Sequence, residues 1–360
     1  MRITETFVVE VAKIEQMTAT VKQYTLRPVD SSDRLPAFHP GAYIETIIHT
    51  QKAVLKRHYS ICSSPAETGY YQIAIQKSAA SRGGSVYWHE HVSVGKRLEI
   101  SAPINHFALS RRARHHVFIA GGIGITPFIP MIFELTGTLD KALLEVRYTA
   151  HQEGISNPSN PSNPSNPFTP SDRLIRPWTS GSWELHFAAK SPEECPFYAW
   201  LTKYFPENTH FYFSKTGNRL TPNILRQQTI GTHLYLCGPQ GLMQEFRDEA
   251  RRIGYPKQSI HLEAFRANTG DDDAFEVSLA RQNRRLTVAP NETLLQALRA
   301  EGIDVASSCE VGGCGTCVIG VLAGKVDHRD FYLTEEEQCQ NNEMVTCVSR
   351  AREGHLVLDL

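Results

Sequence analysis

A chain of 360 residues is long for a single core and suits two or three domains. Its 37 basic and 38 acidic side chains leave a formal net charge of −1, which argues against a nucleic-acid partner, and its 41% hydrophobic content is ordinary for a soluble globular protein. The longest apolar region, residues 117–133, is broken by glycine and proline and makes no membrane span.

Met1-Arg2-Ile3-Thr4-Glu5 runs into a strand-like alternation rather than a signal peptide, and Cys62, Cys195 and Cys237 form no disulfide framework. A reducing cytoplasm is the expected setting. Residues 1–110 read as short strands at 6–11, 20–27, 43–49, 57–62, 70–76 and 98–101, with turn signals at Pro40-Gly41 and Thr68-Gly69. An antiparallel β-barrel buries one face of each strand and leaves few open edges. In Arg57-His58-Tyr59-Ser60, the two-residue period puts Arg57 and Tyr59 on one face and Ser60 on the other. A cation, a flat ring and a hydroxyl suit a phosphate, an aromatic system and a ring nitrogen. Arg82-Gly83-Gly84-Ser85 reads as a glycine turn opening a short helix, whose free N–H groups suit phosphate, with Ser85 as cap or as donor to the anion. An ordinary strand and an ordinary capped helix remain the plain alternative.

Residues 111–265 read as an α/β domain. His116-Val117-Phe118-Ile119-Ala120 is a buried parallel strand, and Gly121-Gly122-Ile123-Gly124-Ile125-Thr126-Pro127 turns into a helix, with Thr126 as cap and Pro127 first in the helix. Such a turn brings backbone amides against a pyrophosphate. The full G-x-G-x-x-G pattern is absent, because Pro127 stands where its last glycine would be. A second strand end, His233-Leu234-Tyr235-Leu236-Cys237, leads through Gly238-Pro239-Gln240 into an amphipathic helix. Two glycine-bearing turns at carboxyl ends of apolar strands are where an open α/β sheet holds its ligand. Cys237 is then either a buried thiol or a wall of a nicotinamide ring pocket.

Ser156-Asn157-Pro158 begins a fourfold repeat through Pro167, in which proline at every third place forbids helix and sheet. Residues 143–149 and 183–188 both read as strands. The second is taken as the sheet strand, and about 137–180 as an insertion.

Residues 272–360 follow the polar linker 268–273. The segments 275–280 and 285–288 read as a hairpin, and 291–298 as a capped helix closed by Gly302. Cys309, Cys314 and Cys317, answered by Cys347, have the plant-type C-x4-C-x2-C…C spacing of a [2Fe-2S] site. Gly312, Gly313 and Gly315 give the loop room to fold around a cluster, and Cys347 sits in an apolar stretch that reads as a strand. Zinc would need a second paired knuckle, and disulfides an oxidising compartment. Cys339, in a polar segment, is the weaker candidate for the fourth ligand. With strands at 318–322 and 356–360, this is an α+β module of the β-grasp ferredoxin type. The stretch from Asp272 onward carries 15 acidic and 8 basic residues, a balance that would steer it towards a basic partner surface or merely keep that face solvated. The pairs His89/His91 and His115/His116 read as core or surface residues rather than metal ligands.

This multi-domain order resembles the phthalate dioxygenase reductase family, which includes the vanillate demethylase reductases. The resemblance is carried by Arg57-His58-Tyr59-Ser60, Arg82-Gly83-Gly84-Ser85, Gly121 through Pro127, Cys237-Gly238-Pro239, Glu263-Ala264-Phe265 and the four cluster cysteines. It continues in Val326-Asp327-His328-Arg329-Asp330 and Leu356-Val357-Leu358-Asp359-Leu360. The resemblance implies FMN in the barrel, with Arg57 and Ser85 on its phosphate, Tyr59 on the ring, Ser60 near the reactive nitrogen and Phe265 covering the ring. His58, Gly83 and Gly84 belong to the same binding motifs. It implies NADH at Gly121, Gly122, Thr126, Pro127, Cys237, Gly238 and Pro239, with Ser60 and Cys237 nearest the chemistry. Lys215 and Arg219 keep a 2′-phosphate, and so NADPH, open.

NADH gives two electrons at once and a [2Fe-2S] cluster takes one, so a flavin between them is the expected converter. By resemblance, the acceptor is a separate, Rieske-type terminal oxygenase of an aromatic dioxygenase or O-demethylase. The chain has no Rieske signature of its own. A self-contained NADH oxidase or ferric reductase, and a redox-sensing interaction protein, are the alternatives.

Overall fold

The computed structural model describes residues 5–49, 54–78, 83–137, 182–265 and 273–360. Arg82, the strand expected at 143–149, the Ser-Asn-Pro run at 156–167 and linker residues 268–272 lie outside the described residues. The chain divides into two compact units, residues 1–261 and 262–360.

The first unit opens with an antiparallel sheet of β1 (Thr6–Thr18), β2 (Val21–Pro28), β3 (Ala42–His49), β4 (Val54–Ser60), β5 (Tyr71–Gln76), β6 (Arg97–Ser101) and β7 (Ile104–Asn105). Its order is β4-β3-β6-β1-β2-β5, with β7 beside β3. An isolated bridge from Ile61 to Ile73 joins the chain just beyond β4 to β5. β1 runs on past Val11, where the expected strand stops, because a register shift between Val11 and Lys13 breaks the two-residue alternation without ending the pairing. The inward residues Val9, Val11, Ile44, Ile48, Ile73 and Ile100 form the core with Tyr24 and Trp88, each fully or almost fully buried. Trp88 comes from the helix α1 (Gly84–His91). Tyr24 Oη donates to its carbonyl at 2.8 Å, and the two rings meet edge-on at 4.8 Å. Such an aromatic pair adds about 0.5–1.5 kcal/mol beyond the area it buries.

A second sheet consists of β8 (His115–Gly121), β9 (Ser182–Ala189), β10 (Thr209–Phe213), β11 (Thr232–Cys237) and β12 (Ile260–Glu263), ordered β10-β9-β8-β11-β12, with the unit boundary falling inside β12. β10, β9, β8 and β11 pair in parallel. Residues 182–189 thus take the sheet position expected of 183–188. The chain steps outward from β8 to β10 and then returns to the other side of β8 as β11, so strand order reverses between β8 and β11. Among the described residues, three α-helices follow these strands: α2 (Phe128–Thr136), α3 (Tyr198–Tyr204) and α4 (Gln240–Arg252). Phe118, Phe187 and Tyr235 on one sheet face pack with Phe128 and Ile132 of α2, while α4 buries Met243, Phe246 and Ala250.

The second unit contains β13 (Phe275–Leu279), β14 (Arg284–Val288), α5 (Leu294–Ala300), β15 (Val318–Ala323), β16 (Val326–Asp327), α6 (Glu335–Gln340), β17 (Glu343–Val345), β18 (Arg350–Ala351) and β19 (His355–Leu358). One sheet runs β14-β13-β19-β15-β17, with β13 and β19 parallel, and β16 pairs with β18. The expected hairpin pairs Phe275 with Val288. α5 starts one turn later than the helix pattern because Thr293 caps it: its side chain accepts from Gln296 N while Gln296 Oε1 accepts from Thr293 N. A second capping box, Thr334 with Glu337, makes α6 a helix where the polar composition of 335–340 suggested only solvated chain.

Candidate functional site

The four cluster cysteines converge in the second unit, and they do so in pairs. Cys309 hydrogen-bonds to Cys314, which holds the Cys314 thiol down at about 4 and pushes Cys309 up; Cys317 pairs likewise with Cys347, which lowers Cys317 to about 7 and raises Cys347. Backbone amides of Val311 and Gly313 face Cys309, those of Cys309 and Thr316 face Cys314, and that of Gly312 faces Cys347. These donors favour thiolates. No three of the four sulfurs lie within 4.8 Å of one another, a spacing that one other group among the described residues does meet. Four thiols paired two and two, ringed by amides, suit two metal ions with two thiolates each.

Cys347 is not on a strand, contrary to the sequence expectation. β17 ends at Val345, and Val348 N and Ser349 N both donate to the Val345 carbonyl, closing a turn that carries Cys347. Thr346 holds that turn to the cluster loop, its amide and hydroxyl both donating to the Cys317 carbonyl. Gly312 and Gly315 have φ of +81° and +73°, and a Cβ at Gly315 would stand 2.3 Å from the Tyr332 ring. Gly313 has neither constraint; the third left-handed residue of the loop is Glu310, at φ +53°, whose carboxylate binds Arg299 Nη1 at 2.7 Å. Cys339 is exposed on α6.

In the first unit, β4 alternates as expected, with Arg57 facing the same side as Tyr59 and Ser60 buried on the other. Arg57 lies against Gly84, the first residue of α1: a Cβ there would fall 2.6 Å from Arg57 Cγ. The strand motif and the glycine turn, separate in the sequence, thus form one cradle of a guanidinium and helix N-terminal amides, suited to a phosphate group. The helix cap is Gly83, at φ +89°, and not Ser85, whose hydroxyl accepts from Ser78 N at 3.2 Å. Burial raises the Tyr59 phenol, whose ring stands edge-on to Trp88 at 5.8 Å. His58 pairs with Glu45 at 3.3 Å, away from Arg57.

The two glycine turns of the parallel sheet meet at its switch point. Cys237 pairs with Ala120, and the backbones beyond them touch: a Cβ on Gly124 would lie 2.2 Å from the Cys237 carbonyl oxygen, and one on Gly238 would lie 2.8 Å from Gly121 N. A Cβ on Gly121 would strike Pro239 Cδ at 2.4 Å. Gly122, at φ +55°, has open space beside it. α2 starts at Phe128, one residue later than expected; Thr126 does not cap it, because its hydroxyl donates back to the Ile123 carbonyl at 3.1 Å and Gly122–Ile125 forms a 3-10 turn. Cys237 is fully buried in the core.

The chain is 36% identical to the carnitine monooxygenase reductase subunit of Escherichia coli over 357 residues, covering 98% of both chains. It is 33% identical to the vanillate O-demethylase oxidoreductase of Acinetobacter baylyi, covering 97% of each. The chain belongs to the phthalate dioxygenase reductase family. A model of the 2Fe-2S iron-sulfur cluster binding domain matches residues 277–352 of this reductase. The solved phthalate dioxygenase reductase, described as a modular structure for electron transfer from pyridine nucleotides to [2Fe-2S], matches 99% of this chain and 98% of its own at 27% identity and a TM-score of 0.67. The reductase also spans 41% of the longer chain of an intact type IV self-sufficient cytochrome P450 monooxygenase.

Several contributors to these sites carry no sequence signal. Trp88 backs Tyr59, Tyr332 covers Gly315, and Thr346 ties the Cys347 turn to Cys317. Gly124 lay within a recognised turn, but its contact with Cys237 depends on a strand more than a hundred residues away. Phe265 is 41% exposed and belongs to the second unit. The other buried cysteines Cys62 and Cys195 line a cavity of about 330 Å3, and burial pushes the Cys195 thiol up to about 12, which disfavours its thiolate. Among the described residues, no helix is long and apolar enough to cross a membrane.

Proposed function

We propose that this chain is the NADH-dependent reductase component of a two-component oxygenase or O-demethylase, an oxidoreductase that delivers electrons to a separate oxygenase. The observation that carries this reading is the pairing of Cys309 with Cys314 and Cys317 with Cys347 in a chain that also brings two glycine turns together at a sheet switch point. When bound, FMN would accept an electron pair from NADH and release single electrons to a [2Fe-2S] cluster.

Residues 1–110 then act as an FMN-binding β-barrel, a reading supported by the isolated Ile61–Ile73 bridge, which ties the chain just beyond end strand β4 to the other end strand, β5. Residues 111–265 act as the NAD-binding domain, with an insertion at about 137–180, and residues 272–360 as a β-grasp ferredoxin domain. Arg57 and the start of α1, with Gly83, Gly84 and Ser85, hold the FMN phosphate. Tyr59, flanked by His58, packs on the ring, and Ser60 stands by its reactive nitrogen. Gly121, Gly122, Thr126, Pro127, Gly238 and Pro239 shape the NADH site, and Cys237 backs the nicotinamide ring. The oxygenase is of the Rieske type, its substrate aromatic, and the setting cytoplasmic.

The decisive experiment is an anaerobic NADH titration of the reconstituted protein, read by visible absorbance and EPR. Bleaching of the flavin band together with a reduced [2Fe-2S] signal is expected. Flavin bleaching with no cluster signal would assign the four cysteines to another task and overturn the reading.

A further inference from the structure

The parallel sheet carries a cluster of side chains that none of these sites uses. In-register pairing sets His210 of β10 beside His186 of β9, and alternation puts Glu184, His186, His210 and Tyr212 on one sheet face, while Trp183, Leu185 and Phe187 enter the core on the other. On that face a carboxylate oxygen of Glu184 and one ring nitrogen each of His186 and His210 lie within 4.8 Å of one another. His186 is almost fully buried and held from both sides: its Nε2 is 2.9 Å from Glu184 Oε1 and its Nδ1 2.9 Å from Tyr212 Oη. Gln228 Nε2 donates to Glu184 Oε1 at 2.5 Å, and the exposed His210 stacks on His186 at 4.9 Å.

We propose that Glu184, His186 and His210 bind one divalent transition-metal ion of the zinc class. Two imidazole nitrogens and one carboxylate oxygen are the donors such an ion takes, with solvent at the remaining position, whereas magnesium and calcium select oxygen ligands. Tyr212 and Gln228 stand where outer partners orient a ligating imidazole and carboxylate. The proton balance closes within the site. A carboxylate can only accept, so the contact with Glu184 requires the tautomer whose proton is on His186 Nε2, with Nδ1 accepting from the Tyr212 hydroxyl. Metal binding needs the Nε2 lone pair, so the ring proton moves to Nδ1, which then donates to the Tyr212 oxygen; the imidazole stays neutral and no proton is lost. β10 lies at the end of the sheet order, and the ion would add a cross-strand link holding it to β9. The site is set back from the switch point: His186 pairs with Ile119, two residues before Gly121.

The test uses the full chain loaded with flavin and cluster and dialysed free of loosely held metal, titrated with Zn2+ alone by calorimetry and examined at the zinc absorption edge. One Zn2+ per chain is expected, with only nitrogen and oxygen in its first shell and a melting temperature that rises with Zn2+. His210→Ala, on the exposed rim, should weaken binding at least about tenfold with flavin and cluster spectra unchanged. Glu184→Gln, which preserves shape, should do the same. Absence of a bound ion in the wild-type protein, wild-type affinity retained in both variants, or sulfur in the first shell would overturn the site.

Discussion

The side chain of Arg57 crosses the Cα of Gly84, so that a Cβ at position 84 would stand 2.6 Å from Arg57 Cγ and 2.7 Å from its Nε. Position 84 lies outside the left-handed region, so alanine is tolerated by the backbone and the strain falls on the arginine. Gly84→Ala is therefore expected to keep the fold, displace the guanidinium and weaken FMN binding about tenfold or more, as measured by equilibrium dialysis of flavin. Arg57→Ala should weaken it similarly, and the double variant little further, because both remove one contact. Additive losses would mean that the two residues act separately.

At the switch point, alanine at Gly124 and at Gly122 should act for different physical reasons. A Cβ on Gly124 would meet backbone atoms of Cys237 and Gly238 at 2.2–2.8 Å, and no side chain can swing aside. Gly124→Ala should cost about 1–3 kcal/mol or more in a denaturant titration. Gly122→Ala, with open space but φ +55°, should cost only about 1–2 kcal/mol, yet raise the Kd for NADH if the pyrophosphate approaches there. Unchanged NADH affinity in Gly122→Ala would move the nucleotide away from this turn.

Cys314 and Cys339 offer the cleanest contrast in the second unit. Cys314→Ser removes one member of a thiol pair, and NADH should still bleach the flavin while electron delivery to an acceptor stops. Cys339→Ser, on exposed α6, should leave the EPR signal and turnover as they were. Survival of one-electron delivery in Cys314→Ser would contradict the relay.

Acid should destabilise the first unit through two buried histidines. Burial drives His116 down to about 3, with His233 adding to the effect, and burial and His233 together bring His261 to about 4. Both are neutral in the fold, whereas the unfolded chain binds their protons below about pH 6.5, so stability is complete above that pH and falls as the pH drops towards 4 and then 3. The loss is on the order of a few kcal/mol over that window. All four tryptophans precede residue 261, so tryptophan fluorescence reads this unit in urea titrations at each pH. His261→Phe, which can keep the stack on Tyr235, should shift the acid limb to lower pH; an unmoved limb would place the effect elsewhere.

Much was legible in local pattern. The four-cysteine spacing, the glycine turns after apolar strands and the alternation of β4 are properties of contiguous residues, and both glycine turns and β4 formed within a few residues of their expected places. Cys347 and Thr126 depart from expectation for one reason: apolar runs and cap-like residues report propensity, while a distant carbonyl or turn decides whether the segment continues as strand or begins a helix. The Ser85 cap failed similarly, because Ser78 N takes its hydroxyl oxygen.

The sequence by itself determined the chemistry available to this reductase: which thiols, which cation, which glycines, and in what order along the chain. Only the tertiary structure decided how they combine. Arg57 meets Gly84, Gly124 meets Cys237, the thiols sort into two pairs, and Glu184 and His186 find His210. Each of these contacts joins segments separated by intervening chain. The physical reason is that residue type and period set what a segment offers, whereas sheet register and close backbone packing set which segments lie within bonding distance.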